Sequence, residues 1–366
     1  MKPGILVAAA LVAATWSGVA SAQVEQPPGQ RFTVDPAALP RPFATESAVN
    51  PPRRVARPAD ATLRVPAGFV ATLYADGMSG PRHFAIAPNG DVFVAETFAG
   101  RITVLRDPER TGRATQREVF VDGLRRPHGM QFHGGDFYVA DLERVWRIPY
   151  QAGDLKARER PIPVTADGAL GTQNGHFTRN IVFSADGRHL FAAIGSAGNV
   201  GEEPEPRATI ARFNADGGAR ETFASGLRNP VGIAIRPGSD ELWTVVNERD
   251  GLGDGLVPDY LTRVVEGGFY GWPYAYIGRN PQPGLGDKRP ELVAGTRIPD
   301  LLFESHSAPI GLAFYTGTTF PAEYRGDAFV ALRGSWNANR PVGYMIARVP
   351  FRDGRPVGHY ETFASG

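Results

Sequence analysis

The hexapeptide Glu-Thr-Phe-Ala-Ser-Gly occurs twice, letter for letter, at residues 221–226 and 361–366. It belongs to a looser series of small turns at residues 74–77 (YADG), 120–123 (FVDG), 165–168 (TADG), 223–226 and 363–366 (both FASG), with 303–306 (FESH) as a degenerate member. After most of them comes a proline and a short apolar strand: PRHFAIAP from Pro81, PHGMQFH from Pro127, PVGIAIRP from Pro230 and PIGLAFYT from Pro309, with TRNIVFSADG from Thr178 as the worn copy. A second strand follows, as in DVFVAE from Asp91 and ELWTVVNE from Glu241, and then a third, as in RITVLR from Arg101 and YMIARVPF from Tyr344. Four short strands per unit, repeated every ~40–50 residues, predict an all-β chain folded as a β-propeller. A β-sandwich has similar strands and turns but gives no reason for verbatim repetition.

Composition agrees with this. The 44 glycines and 32 prolines in 366 residues disfavour a helical bundle, since both are poor in helix interiors. The 42% hydrophobic content can build a core, which disfavours a disordered chain. Lys+Arg 39 against Asp+Glu 38 leaves no basic excess for nucleic acid phosphates. Without cysteine there are no disulfides, thiolate metal sites or cysteine nucleophiles.

The repeat occupies only part of the chain. Lys2, the apolar stretch from Ile5 to Ala14 and the small triplet Ala20-Ser21-Ala22 predict a secretory signal peptide over residues 1–22. The apolar run is shorter than the roughly 20 residues a membrane span needs. No later stretch is apolar enough to span, so a periplasmic or secreted protein is expected. Residues 23–60 hold many prolines and almost no apolar periodicity, which predicts an arm or linker. The propeller is then expected over residues 61–366.

Counting exposes a mismatch. There are six turns of the FASG type but five three-strand sets to go with them. A closed ring needs equal numbers, so most of a last blade is expected to be lacking from this sequence. Open strand edges would be left unpaired.

Equivalent positions of the innermost strands face one central channel. The residues two before the proline slot are Ser79, Arg125, His176, Arg228 and Ser307. Two arginines and a histidine on one ring suit a small anionic ligand with a proton acceptor beside it. They also suit a merely hydrated polar funnel. The run from Asn247 to Gly251, with Asp254 and Asp259, is rich in oxygen donors suited to calcium, or is a solvated loop. No Gly-x-Ser-x-Gly elbow supports a serine nucleophile.

GHFTRNIVFSADG from Gly175, GLRNPVGIAI from Gly226, NERDGLGDGLVPDYL from Asn247, GGFYGWPY from Gly267 and SAPIGLAFYTG from Ser307 carry a resemblance. In this order they resemble the soluble quinoprotein sugar dehydrogenases, in particular the sorbosone dehydrogenase-like subgroup. The resemblance implies a six-bladed propeller that binds pyrroloquinoline quinone and calcium. It also implies an enzyme that oxidises a sugar hydroxyl by hydride transfer to the quinone, then passes electrons to an acceptor.

His176 matches the histidine that takes the substrate proton. Arg228 and Asn229 match a cofactor-holding pair, and Arg333 matches a basic cofactor contact. Arg125 joins the cofactor set on the ring argument. Calcium would be held by main-chain carbonyls at Asp250 and Gly251. Further cofactor-contacting arginines of the family lie on the innermost strand of the last blade, where this chain departs from the pattern. The alternatives are a calcium-dependent sugar lactonase on a similar propeller, and a non-catalytic binding propeller.

Overall fold

A computed structural model describes residues 25–366 except Arg54, Thr172 and Gln173. The signal-peptide expectation therefore lies outside the described residues. Five sheets, each built on four antiparallel strands, follow one another along the chain, and Gly268–Phe269 adds a short parallel strand to the outer edge of the third. Their innermost strands are Pro81–Ile86, Met130–His133, Arg179–Phe183, Pro230–Ile235 and Pro309–Phe314. Each runs outward in chain order to a fourth strand: Gln116–Val121, Ile162–Pro163, Glu221–Ser225, Leu301–Ser305 and Tyr360–Ser365. These are five blades of a propeller.

The second strands explain why the sheets stack around an axis. In blade 3, Phe191 and Ala193 pack toward Ile233, Leu242 and Val246 of blade 4. The alternate residues, Leu190 and Ala192, pack toward Tyr138, Ala140 and Val145 of blade 2. Both faces are thus apolar, whereas a solvent-facing antiparallel sheet alternates apolar with polar. Blade 4 repeats the rule, with Val246 and Leu242 on one side and Trp243 and Val245 on the other.

Five blades are joined by four such cores: blades 1 and 2, 2 and 3, 3 and 4, and 4 and 5. Between blade 5 and blade 1 no comparable core forms among the described residues, and the ring is open there. A single stretch of chain crosses the opening. Arg64 and Ser365 exchange backbone hydrogen bonds at 2.7 and 3.1 Å on the blade 5 side. Phe69 then sets its edge against Phe320, Tyr324 and Phe363. On the blade 1 side, Ala114 N–H donates to Tyr74 O at 2.9 Å. The sixth turn, residues 74–77, therefore belongs to this crossing and closes no sheet. Phe84 and Ile86, on the uncovered flank of blade 1, stay 64% and 54% exposed.

The proline-rich arm wraps the propeller. Arg31–Phe32 adds a fifth antiparallel strand to the outer edge of blade 5. Beyond it, Phe43 N–H donates to Leu252 O, and Asn50 N–H donates to Trp336 O, both at 2.8 Å. The arm thus ends against loops that border the channel mouth.

Candidate active site

A cavity of about 370 Å³ opens at one mouth of the channel, within the range usual for small-molecule sites. A larger concavity of about 1040 Å³ lies on the bare flank of blade 1. There Asp91 and Arg106 neutralise each other in a pair at 2.6 Å, beside the exposed Phe84 and Ile86. The smaller cavity is the one that gathers His176, Arg228, Asn229, Asp250 and Arg333.

His176 enters it from the loop before Arg179–Phe183. Gly175, with φ +68°, makes the turn; an added Cβ would fall 2.0 Å from Ala197 O. His176 N–H donates to Ser196 O, which fixes the loop to the end of the neighbouring strand. The ring Nδ1 lies 2.9 Å from Ser196 O and 3.1 Å from Ser196 Oγ. A carbonyl accepts only, and the Ser196 hydroxyl already donates to Gly198 O at 2.6 Å. Nδ1 must therefore carry the proton, which leaves Nε2 with a free lone pair. Burial, and then the nearby charge of Arg228, lower the pKa of His176 to about 4. The imidazole is neutral at neutral pH.

Arg228 and Asn229 also line the cavity, but in different ways. The Arg228 guanidinium is spent on the protein, donating to Asn199 O at 2.9 Å, Glu248 O at 2.7 Å and Asn199 Oδ1 at 3.0 Å. It presents a positive face and little free hydrogen-bonding capacity. The Asn229 Oδ1, by contrast, is buried with no partner. Unpaired buried polar atoms are costly and mark either strain or a ligand position.

The acidic side of the cavity is held by blade 4. Asp259 accepts from Glu248 N–H at 2.8 Å and from Ala308 N–H at 2.7 Å, clipping blade 4 to the start of blade 5. Burial raises Asp259 to about 7 and Glu248 to about 8. Asp250 goes the other way: despite burial, its hydrogen bond to His306 and the charge of Arg228 keep it ionised. Asp259→Ala strands two buried N–H groups and is expected to cost about 2–4 kcal/mol, read as a lower midpoint in urea unfolding.

Two expectations are corrected. Arg125 does not reach the cavity: its side chain is half exposed and paired with Glu143 at 2.5 Å. The position two before the proline points there only in blades 3 and 4. The main-chain oxygen of Asp250 is not available to a metal either. It accepts from Arg249 Nε at 3.0 Å, a terminal Arg249 nitrogen at 2.5 Å and Asn199 Nδ2 at 2.8 Å. Nor does any group of three His, Asp or Glu side chains among the described residues have metal-holding geometry. At Asp250 the carbonyl therefore does not fit the calcium role expected of it.

Arg82, which the ring reasoning passed over, does line the cavity, together with Arg333. Its register explains this. Pro81 pairs with Glu96 and His83 with Ala95, so Arg82 is the extra residue of a β-bulge. Bulges re-aim side chains. Ile310 holds the same bulge position in blade 5 and also lines the cavity. In blades 1 and 5 the residue just after the proline slot lines the cavity, where the one two before it does not.

Arg82, Arg333, the Asn229 Oδ1 and the half-exposed Trp336 ring give this cavity cationic arms, an orphan acceptor and a flat apolar wall. Such a set fits a planar, polyanionic ligand.

Residues 164–336 match the family model described as Glucose / Sorbosone dehydrogenase. A pyrroloquinoline quinone-dependent pyranose dehydrogenase of Coprinopsis cinerea is 27% identical over 344 residues, covering 79% of this chain. The chain spans 45% of that relative's length. An aldose sugar dehydrogenase of Escherichia coli is 32% identical over 173 residues, covering 42% of this chain and 43% of its own. The fold is similar to the holo quinone domain of the Coprinopsis cinerea enzyme, with TM-score 0.71, 20% identity, and 84% and 87% of the two chains covered.

Proposed function

We propose that this chain, which is similar to the soluble quinoprotein sugar dehydrogenases, oxidises a sugar hydroxyl, with His176 as base and pyrroloquinoline quinone bound in the 370 Å³ cavity. The observation that carries this reading is the neutral, Nδ1-protonated His176 facing the same cavity as two unpaired arginines. The quinone, when bound, supplies the hydride acceptor. Arg82 and Arg333 would hold its carboxylates, and Asn229 would meet a donor edge.

The protein's own part is proton handling. The Nε2 lone pair of His176 takes the hydroxyl proton as the C–H hydride leaves, so the substrate carbon ends as a carbonyl. The Ser196 oxygens and the field of Asp250 favour the imidazolium that forms, while burial and Arg228 oppose it. No step is routed through calcium, since the Asp250 oxygen is already engaged. Aldoses or sorbosone-like sugars are the substrates of this reading. Export to the periplasm or beyond follows from residues 1–22, and an exported chain beginning at Gln23 would support it.

Reconstitution of the full chain with pyrroloquinoline quinone, followed by dye-linked oxidation of aldoses, tests the proposal. Dye reduction that needs both sugar and quinone is expected. No dye reduction by a preparation with demonstrated quinone binding would overturn it.

A pH profile adds a second check. His176 is inactive as a base only when protonated, so the acid limb of turnover should fall near pH 4 rather than near the ordinary histidine value. Ser196→Asp places a carboxylate beside Nδ1, favours the imidazolium and should move that limb up by a unit or more. An acid limb near pH 6.5 in the unaltered protein would contradict the assignment.

A further inference from the structure

Asn199 sits on the exposed loop that follows the second strand of blade 3, and it does not line the cavity. Its amide is nonetheless tied down. Oδ1 accepts from the Asp250 N–H at 2.9 Å and from a terminal nitrogen of Arg228 at 3.0 Å. Nδ2 donates to Asp250 O at 2.8 Å. The first two partners can only donate, which fixes which way the amide faces. Asn199 thus pairs with both polar groups of the Asp250 main chain, much as a residue on a neighbouring strand would.

The loop is itself held from several sides. The Ala197 and Gly198 N–H groups donate to the Glu203 carboxylate at 2.6 and 2.7 Å. Asn199 O accepts from Arg228 Nε at 2.9 Å and from Trp272 Nε1 at 3.0 Å. Two residues near Trp272 in the same insertion, Tyr274 and Lys288, reach Glu202 at 2.7 and 3.0 Å. An exposed asparagine is ordinarily solvated; this one gathers two parts of the site, Arg228 and Asp250, which stand 3.8 Å apart.

Those two charges act on the base. The field of Arg228, joined by Arg207, opposes protonation of His176, whereas Asp250 favours it. The other charged or titratable groups around the cavity are Arg82, Arg333, Glu248, Asp259 and His306. Interactions between charges fall with distance, so the placing of Arg228 and Asp250 sets the balance.

We propose that Asn199 is a positioning residue of the site: it fixes the Arg228 guanidinium and the Asp250 main chain, and so sets the field in which His176 exchanges its proton. The inference rests on the dehydrogenase reading only for what His176 does with that proton.

The test follows the His176 ring nitrogens by NMR in the full chain carrying isotope-labelled histidine. The signal is assigned by its loss in His176→Gln. Asn199→Asp keeps an acceptor for Arg228 but sets a negative charge beside it, weakening its field at His176. The imidazolium gains, so the titration should move up from about 4 by about half a unit or more. In an Arg228→Gln background the same substitution should move it less than about half as far, since the group it acts through is gone. Asn199→Ala adds no charge and should speed exchange of the Asp250 amide about tenfold or more.

A titration unchanged to within about 0.2 unit in Asn199→Asp would overturn the proposal. A full shift that persists without Arg228 would do so too, because the new carboxylate would then act on His176 directly. Exchange of the Asp250 amide within about twofold of the unaltered rate in Asn199→Ala would also overturn it, and that measurement stands even if Arg228→Gln does not fold. If the titration moves as expected but the quinone-loaded protein oxidises no sugar, the positioning role stands and the dehydrogenase reading falls.

Discussion

His176→Ala is expected to lower sugar turnover by about 10²–10⁴-fold, the usual contribution of a positioned general base. Affinity for pyrroloquinoline quinone should stay within severalfold. The separation follows from geometry. The histidine's ties run to Ser196 through its backbone and Nδ1, so truncating the ring removes the Nε2 lone pair without loosening the arginines or Asn229. Steady-state rates at saturating quinone, set beside fluorescence titration of the same preparation, read the two quantities independently. Loss of quinone binding with unchanged turnover per bound cofactor would make His176 a cofactor contact instead. Foreign bases offer a further check, since small imidazoles fitting the vacated space should restore part of the rate.

Gly195→Ala should have the second large effect, at a position that touches no ligand. Gly195 follows the strand His189–Ile194 and lies between the two sides of the site. An added Cβ would sit 2.4 Å from Asn229 Oδ1 and 2.6 Å from His176 Cβ. The amide end of Asn229 can swing away, but the Cβ of His176 is tied to a backbone already hydrogen-bonded to Ser196. The histidine must shift, and a displacement of about 1 Å in a reacting group costs on the order of 10²-fold in rate. Stability should fall by only about 1–3 kcal/mol, the ordinary price of overpacking. A variant that melts near the unaltered protein yet turns over about a hundredfold more slowly is the expected result. Unchanged turnover would mean that His176 does not need its present position.

Much of the fold was legible because a propeller writes itself into the chain as a period. Turns such as 223–226 and 363–366 end outer strands in both the sequence reading and the structure. The excess sixth turn was legible as a mismatch, and the structure puts it on the crossing at the opening of the ring. Its physical meaning, four inter-blade cores for five blades, needed side-chain packing.

The site was legible where one repeat position maps onto one direction in space. His176 and Arg228 do face the cavity, as a common position on a ring predicts. Arg125 holds the same repeat position but turns outward to Glu143, because nothing in the local sequence announces which way a loop side chain leaves its blade. Arg82 was missed for the opposite reason. A bulge inserts one residue into the ladder and re-aims its side chain, and the alternation from which strand faces are read cannot register that.

The Asp250 oxygen shows a third kind of limit. Residue types at Asn247–Asp259 suit a cation, but whether a carbonyl is free depends on which neighbour reaches it, and here Arg249 and Asn199 do. The sequence by itself thus determined the repeat, the blade as its unit, the histidine and the absence of cysteine chemistry, all of which are local or periodic. Only the tertiary structure decided which charges meet, which are already satisfied and where the ring stands open. Those depend on contacts between residues far apart in the chain, and no spacing along the chain encodes them.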